Sequence, residues 1–592
     1  MPAPEKQSVS GKLWSLRCQP DESHNKVIGT LGLSHYLSPL LASRQLCATG
    51  ETRQFLEPRL KDLADPYDLL DMQPAIERLV TALEQDEKIA VFGDYDVDGA
   101  TSSALLMRYF HDLGVSLRIY IPNRLTEGYG PSAGAMQTLA AEGVKLVITV
   151  DCGITAFEPV EAAKAEGVDV IITDHHQARE QLPEALAVIN PNRQDEPFPY
   201  KELAGVGVAF YLVMALNRKL REMGWFNHDR TEPQLKPLLD LVAVGTVADV
   251  AGMRGLNRAL VTSGLKVLSS RSNPGLAALM QVVGIREDVK TLTSTHIGFQ
   301  LGPRLNAGGR LGQGELGYQL LSSRDTAQAF TIAETLDASN KERQDIERGI
   351  LKQAMDLVEQ EKQPEQRRGL VAAGEGWHPG VIGIVASRMC DKHSKPAIVI
   401  AIDPETGVGK ASGRSIPGIN LLAAIESASE YLEHFGGHKV AAGLTIKREN
   451  IPAFMEAFEA HLTTHYQASA FFPRLTVDAQ LPLDELDFSV ARQIQSFSPF
   501  GPGNPEPIFI LPRVSLRGIK VLKERHLAMT IVCPRTHQQV ESIGFRMAPG
   551  PIVDAVQAGD VALWDVAGKL TIETWRGREK IKMQLSDIRV AV

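Results

Sequence analysis

With 592 residues, 44% apolar and 22% charged, the chain has the composition of a soluble globular protein with material for roughly three or four domains. No run approaches the ~18 apolar residues of a membrane span, and Met1 to Thr30 lacks the apolar segment of a signal peptide. The net charge of −9 requires any nucleic-acid surface to be a local Lys/Arg cluster, and five scattered cysteines (Cys18, Cys47, Cys152, Cys390, Cys533) predict reduced cytoplasmic thiols without disulfide framework or zinc site.

Residues 1–85 form an N-terminal extension: the first 40 or so are expected to pack loosely, pinned by Trp14 and Leu16, before a helical pattern from Pro39 to Glu84. From residue 86 strands and helices alternate. Apolar runs at Ile89–Phe92, Leu117–Ile121, Leu146–Val150 and Val168–Thr173 bracket helices expected at 101–113, 131–142 and 157–166. That order predicts a parallel, doubly wound sheet in a first lobe spanning 86–325. The Gly-punctuated stretch Leu203–Met214 lacks the third glycine and the acidic residue of a dinucleotide loop, so it reads as close helix packing. A long helix is predicted over 326–365, with Phe330, Ala333, Leu336, Ile346, Ile350, Ala354 and Leu357 as its apolar positions. Its polar stretch Ser339–Asp345 makes it a bridge between domains. A second α/β lobe covers 366–468, with strands near Gly369–Ala373 and Pro396–Ala401. Short β-like runs fill 469–592 and suggest a small barrel of the OB type.

The chemistry gathers after the first strand, where Gly93 opens a turn bearing Asp94, Asp96 and Asp98. Three carboxylates so close repel one another and call for cations. Alone, the segment could be a solvated Asp-rich loop or an Asx turn capping a helix. Later apolar runs also end in acid or imidazole, at Asp151, at Asp174-His175-His176 and at Asp249. Four strand ends delivering Asp, Asp, His and Asp to one sheet edge make a hard-cation site. His175 and His176 on their own would read as a core pair.

Asp94-Tyr-Asp-Val-Asp-Gly99, Asp174-His175-His176, Gly302-Pro-Arg-Leu-Asn-Ala307, Trp377-His-Pro-Gly-Val-Ile-Gly383 and Phe435-Gly-Gly-His438 together resemble the DHH phosphoesterase superfamily. The similarity is closest to its bacterial exonucleases specific for single-stranded DNA and runs from about residue 40 to the C-terminus. It implies an α/β fold of two lobes, DHH and DHHA1-like, joined by a long helix, with a C-terminal OB-like β-barrel. It also implies two divalent cations, Mg2+ or Mn2+. Asp96 and Asp98 would hold one each, Asp151 would bridge, and His175 and Asp249 would complete the second. Asp94 is a further ligand candidate, since Phe92 stands where many members carry His. Asp151 and His176 take the catalytic roles.

On the substrate side the resemblance points to Arg124, Arg304 and Asn306, then to His378, Arg414 and Ser415, and to Gly436, Gly437 and His438. The implied activity is 5′→3′ degradation of single-stranded DNA to mononucleotides in recombination and repair. It implies a cytoplasmic monomer working with a helicase and the single-strand-binding protein. The alternative is a phosphodiesterase for short oligonucleotides or cyclic dinucleotides, whose relatives generally lack the barrel. A non-catalytic scaffold is disfavoured by the full ligand set. A Walker ATPase is excluded because no Gly-Lys pair (11–12, 409–410, 568–569) precedes Ser or Thr.

Overall fold

The run Ile89–Gly93 is buried along its whole length and pairs in parallel with Leu117–Tyr120 on one side and Leu146–Val150 on the other. Asp169–Thr173 and Ala187–Ile189 extend the sheet, again in parallel. In this computed structural model residues 7–123, 127–360, 366–559, 561–575 and 578–591 are described. Helices Met72–Glu84, Val97–Asp112 and Gly205–Glu222 pack on one face of the sheet, and Ala133–Ala141 and Phe157–Ala165 on the other. The chain leaves the first strand in one direction and returns on its far side, so a topological switch point lies between Ile89–Gly93 and Leu146–Val150. Open α/β sheets bind ligands there, at the carboxyl ends of the strands.

The apolar run ending at Val247 is not a strand: Leu239–Ala248 is a helix, and Asp249 is its C-cap. A continuous apolar run carries no periodicity to separate a buried strand from a buried helix. The helix after the aspartates starts at Val97, earlier than its apolar residues suggest, because Asp96 caps it.

The helix Thr326–Gln360 is 35 residues long, about 52 Å at 1.5 Å per residue. Leu336 belongs to the core of the first lobe, whereas Ile350 and Ala354 belong to that of the second. Between them lie buried polar residues: Arg343 reaches Glu347 at 2.5 Å and Asn340 Oδ1 at 2.8 Å, and Arg388 of the second lobe also pairs with Glu347. That second lobe is a mixed five-stranded sheet, ordered Leu432–Gly437, Ala441–Lys447, Val408–Arg414, Ala397–Ile402, Leu370–Glu375. Gly436 and Gly437 therefore stand on an exposed edge strand.

The C-terminal barrel runs Phe509–Leu522, His526–Val532, Gln539–Gly544, Arg578–Val590 and Trp564–Trp575, which pairs back onto Phe509–Leu522 and closes it. Residues 7–40 are not loosely packed. Leu13–Leu16 adds in parallel to Arg474–Val477, and Trp14 Nε1 donates to Asp587 at 2.9 Å. Val27, Leu37, Leu40 and Leu41 sit in the barrel's own core. Their partners lie at the far end of the chain, so no local pattern reveals them.

Candidate metal centre

Asp96 spends one oxygen as a helix cap, accepting from the amides of Asp98 (2.9 Å) and Gly99 (3.1 Å). Asp98 is fully buried and accepts from the amides of Gly205 (2.7 Å) and Val206 (2.9 Å) at the start of the next helix. Two glycines make room for this approach. A Cβ at Gly205 would lie 2.9 Å from that of Asp151, and one at Gly245 would lie 2.9 Å from Asp98 Oδ1. Asp151 holds φ at +59° beyond its strand, a conformation Asp tolerates better than most residues.

His175 Nε2 lies 3.0 Å from Asp151 Oδ1 and 3.8 Å from both Asp98 and Asp249. Its other nitrogen is engaged by the backbone of Leu203, and burial lowers its pKa to about 4. Neutral at Nε2, the ring aims a lone pair at three carboxylates, and neither Nε2 nor Asp151 Oδ1 has a hydrogen-bond partner. Acceptors facing acceptors in a buried site fit a cation between them. Among the described residues, three donor groups converge to metal-binding distance: Asp94, Asp96 and Asp151; Asp98, His175 and Asp249; and Asp151, His175 and His176. Burial, then the charge of neighbouring acids, raises the carboxyls of Asp98 and Asp151 well above the usual range and that of Asp249 to about 7. Oxygen-rich donors with few imidazoles suit Mg2+ or Mn2+.

Two residues to which the sequence motifs assigned no role help to build the site. Asp174 is buried and accepts from the amides of Ile154, His175 and His176 and from His176 Nδ1 at 2.8 Å. It orients His176; burial disfavours the imidazolium, but Asp174 outweighs this and raises His176 to about 9. An acid two residues before a histidine was the available signal. Arg310 donates to the carbonyl of Gly380 at 3.0 Å, tying the first lobe to the turn that carries His378. No motif marked it.

The substrate-side candidates are more dispersed. Arg304 Nε pairs with Asp337 at 3.1 Å, and Nη1 donates to Gln300 O. Asn306 is half-buried on the same helix. His378 Nδ1 accepts from the Gly380 amide. Arg414 ends a strand, donating to Ser412 Oγ and Gly413 O, and Ser415 Oγ donates to Ile419 O. Arg414 pairs in register with Ala441, whose carbonyl accepts from the His438 amide, so these two share one corner of the sheet. Among the described residues, no hydrogen bond or ion pair joins Arg304 to Arg414, Ser415 or His438. Arg124 lies outside the described residues.

Residues 88–246 match the DHH family, N-terminal domain; residues 366–464 match the DHHA1 domain; and residues 477–587 match the RecJ OB domain. The single-stranded-DNA-specific exonuclease RecJ of Escherichia coli (strain K12) is 36% identical over 579 residues, covering 94% of this chain and 97% of that protein. The crystal structure of RecJ from Thermus thermophilus in complex with Mn2+ matches with a TM-score of 0.79 at 30% identity, covering 97% of this chain and 79% of that one. Its Mg2+ complex matches at 0.72 and 28% identity, covering 97% and 78%.

Proposed function

The chain belongs to the RecJ family of single-stranded-DNA-specific exonucleases, and on that premise we propose that it releases mononucleotides from the 5′ end of single-stranded DNA with two divalent cations, Mg2+ or Mn2+. The observation that carries this reading is the convergence of Asp94, Asp96, Asp98, Asp151, His175 and Asp249 at the switch point of the sheet. Bound there, the cations supply an activated water and offset the charge of the phosphodiester. Asp151 reaches two of the three donor groups and is the bridging candidate. His176, fixed by Asp174, presents its ring beside them for a phosphate oxygen. Arg304, Arg414, Ser415 and His438 are the candidates for holding the strand and its 5′ phosphate, with Asn306, His378, Gly436 and Gly437 lining the approach. Arg124 joins them on the family motif alone.

The closed barrel supports a polymeric substrate over a cyclic dinucleotide, because it adds an oligonucleotide-binding fold beside the catalytic lobes. Five free cysteines support a reducing cytosolic setting, where the enzyme acts as a monomer with a helicase and single-strand-binding protein. The test is hydrolysis of 5′- and 3′-labelled single strands, duplexes and a cyclic dinucleotide, with Mn2+, with Mg2+ and with chelator. Metal-dependent release of labelled mononucleotide from 5′-labelled single strands is expected from the first turnover. Preferential cleavage of the cyclic dinucleotide, or release from the 3′ end, overturns the reading.

A further inference from the structure

Among the described residues, the four most exposed large apolar side chains are Phe299 (77%), Val250 (65%), Val440 (58%) and Tyr129 (55%). Each lies close, in sequence or in contact, to a residue singled out above. Val250 follows Asp249 and holds φ at +62°, a region that β-branched residues avoid. Tyr129 meets the His176 ring edge-on, with centroids 6.1 Å apart. Val440 comes two residues after His438, and its carbonyl accepts from the Ser415 amide at 2.9 Å. Phe299 precedes Arg304 by one helical turn and a residue.

Phe299 occupies the most telling position. It lies in a π-helical turn, Ile297–Leu301, that continues directly into the helix bearing Arg304. Such turns cost hydrogen-bond geometry and recur at functional sites. Three residues upstream of the turn, Ser294 Oγ donates to the carbonyl of Phe500, in the segment that enters the barrel (2.8 Å). Just downstream, a Cβ at Gly302 would lie 3.5 Å from that of Ala248, the neighbour of Asp249. One short segment therefore runs from the barrel, past Phe299, to the metal centre and Arg304.

We propose that Phe299 is a stacking platform for one nucleobase of the incoming strand, placed between the segment that enters the barrel and the metal centre. This rests on the reading of a single-stranded substrate. Every base has a π face, so a phenyl platform holds any sequence. In a duplex those faces are already stacked on neighbours, so the same platform favours single strands. A ring this exposed contributes little to the fold, and its replacement leaves the scaffold intact.

The experiment scans one abasic site at a time along a single-stranded oligothymidylate, using the full-length enzyme with Mn2+. On the intact strand, Phe299→Ala is expected to lower kcat/KM on the order of 5- to 100-fold, mainly through KM, with an unchanged Tm. At one or two contiguous positions the abasic site should cost the wild type a similar factor and cost F299A nothing further. Phe299→Trp should restore activity, and emission from the introduced indole should be quenched by the oligothymidylate in chelator, where no hydrolysis occurs. An F299A loss that is the same with abasic sites at every position overturns the proposal, as does an F299W variant whose emission ignores the strand. Failure of the wild type to hydrolyse single strands would instead sink the functional reading, while the quenching measurement still reports on Phe299 itself.

Discussion

The guanidinium of Arg258 lies 3.9 Å from the centre of the Phe55 ring and donates through Nε to that residue's carbonyl oxygen at 2.6 Å. Its remaining donors go to the carbonyls of Phe497, Pro499, Ser496 and Ser498. Arg258 is almost completely buried, with no carboxylate partner among the described residues, and burial lowers its pKa to about 9. One side chain thus joins a helix of the first lobe, the N-terminal extension and the segment leading into the barrel.

Arg258→Met should therefore destabilise the protein by about 3–5 kcal/mol, since the carbonyls of Phe55, Ser496 and Ser498 lose this donor together while Asn504 still serves those of Phe497 and Pro499. The barrel should also become separable by limited proteolysis. Urea unfolding checks the first expectation, and a cost below about 1 kcal/mol refutes the role. Deleting residues 470–592 is a poorer test, because it strips the cover from Val27, Leu37, Leu40 and Leu41.

Asp151→Asn should lower activity by well over ~100-fold, more than the loss of an outer-shell partner. In chelator its Tm should equal or exceed that of the wild type, because Asp98, Asp96, Asp174 and Asp94 all crowd this carboxylate. Asn suits the left-handed φ of +59° at this position, whereas Ala there costs about 1–2 kcal/mol. Strong residual hydrolysis at saturating Mn2+ would remove Asp151 from the bridging position.

A two-metal centre is nearly symmetric about the scissile phosphate, so strand polarity must come from recognition of the end. Asp337 grips Arg304 through Nε, and Gln300 takes Nη1, which leaves Nη2 for a phosphate. Arg304→Ala should cost on the order of 1.5–3 kcal/mol in kcat/KM, and more on 5′-phosphorylated than on 5′-hydroxyl strands. An unchanged ratio of the two substrates, in this variant and in Arg124→Ala and Arg414→Ala, places the end pocket elsewhere.

Asp240 lies at the opposite end of its helix from Asp249, and burial raises its carboxyl from 3.8 to about 6 despite the charge of Arg108. The folded protein holds this proton more tightly than the unfolded chain. The associated stability is complete below pH ~4 and is lost as pH rises toward ~6. Asp240→Asn should therefore raise stability at pH 7 by on the order of 1–3 kcal/mol and flatten the pH dependence of Tm between 4 and 6. An equal Tm difference at both ends of that range contradicts it.

The lobes, the long helix, the barrel and the identity of the donor residues were legible in the residue order. They rest on local periodicity and on short motifs that carry their own backbone requirements: Asp96 both closes an Asx turn and joins a donor group of the candidate site. The run before Asp249, expected as a strand, is a helix buried over most of its length, and the order of residues 7–40 left no local signal. Only the packed chain reveals that Asp98 is held by the amides of Gly205 and Val206, that Asp174 orients His176, and that Arg258 fastens three segments. The bond from Trp14 to Asp587, 573 positions away, belongs with these. A local pattern reports which face of an element is buried. It holds no record of which distant element buries it, because that is settled when the chain packs and each buried polar group finds its partner.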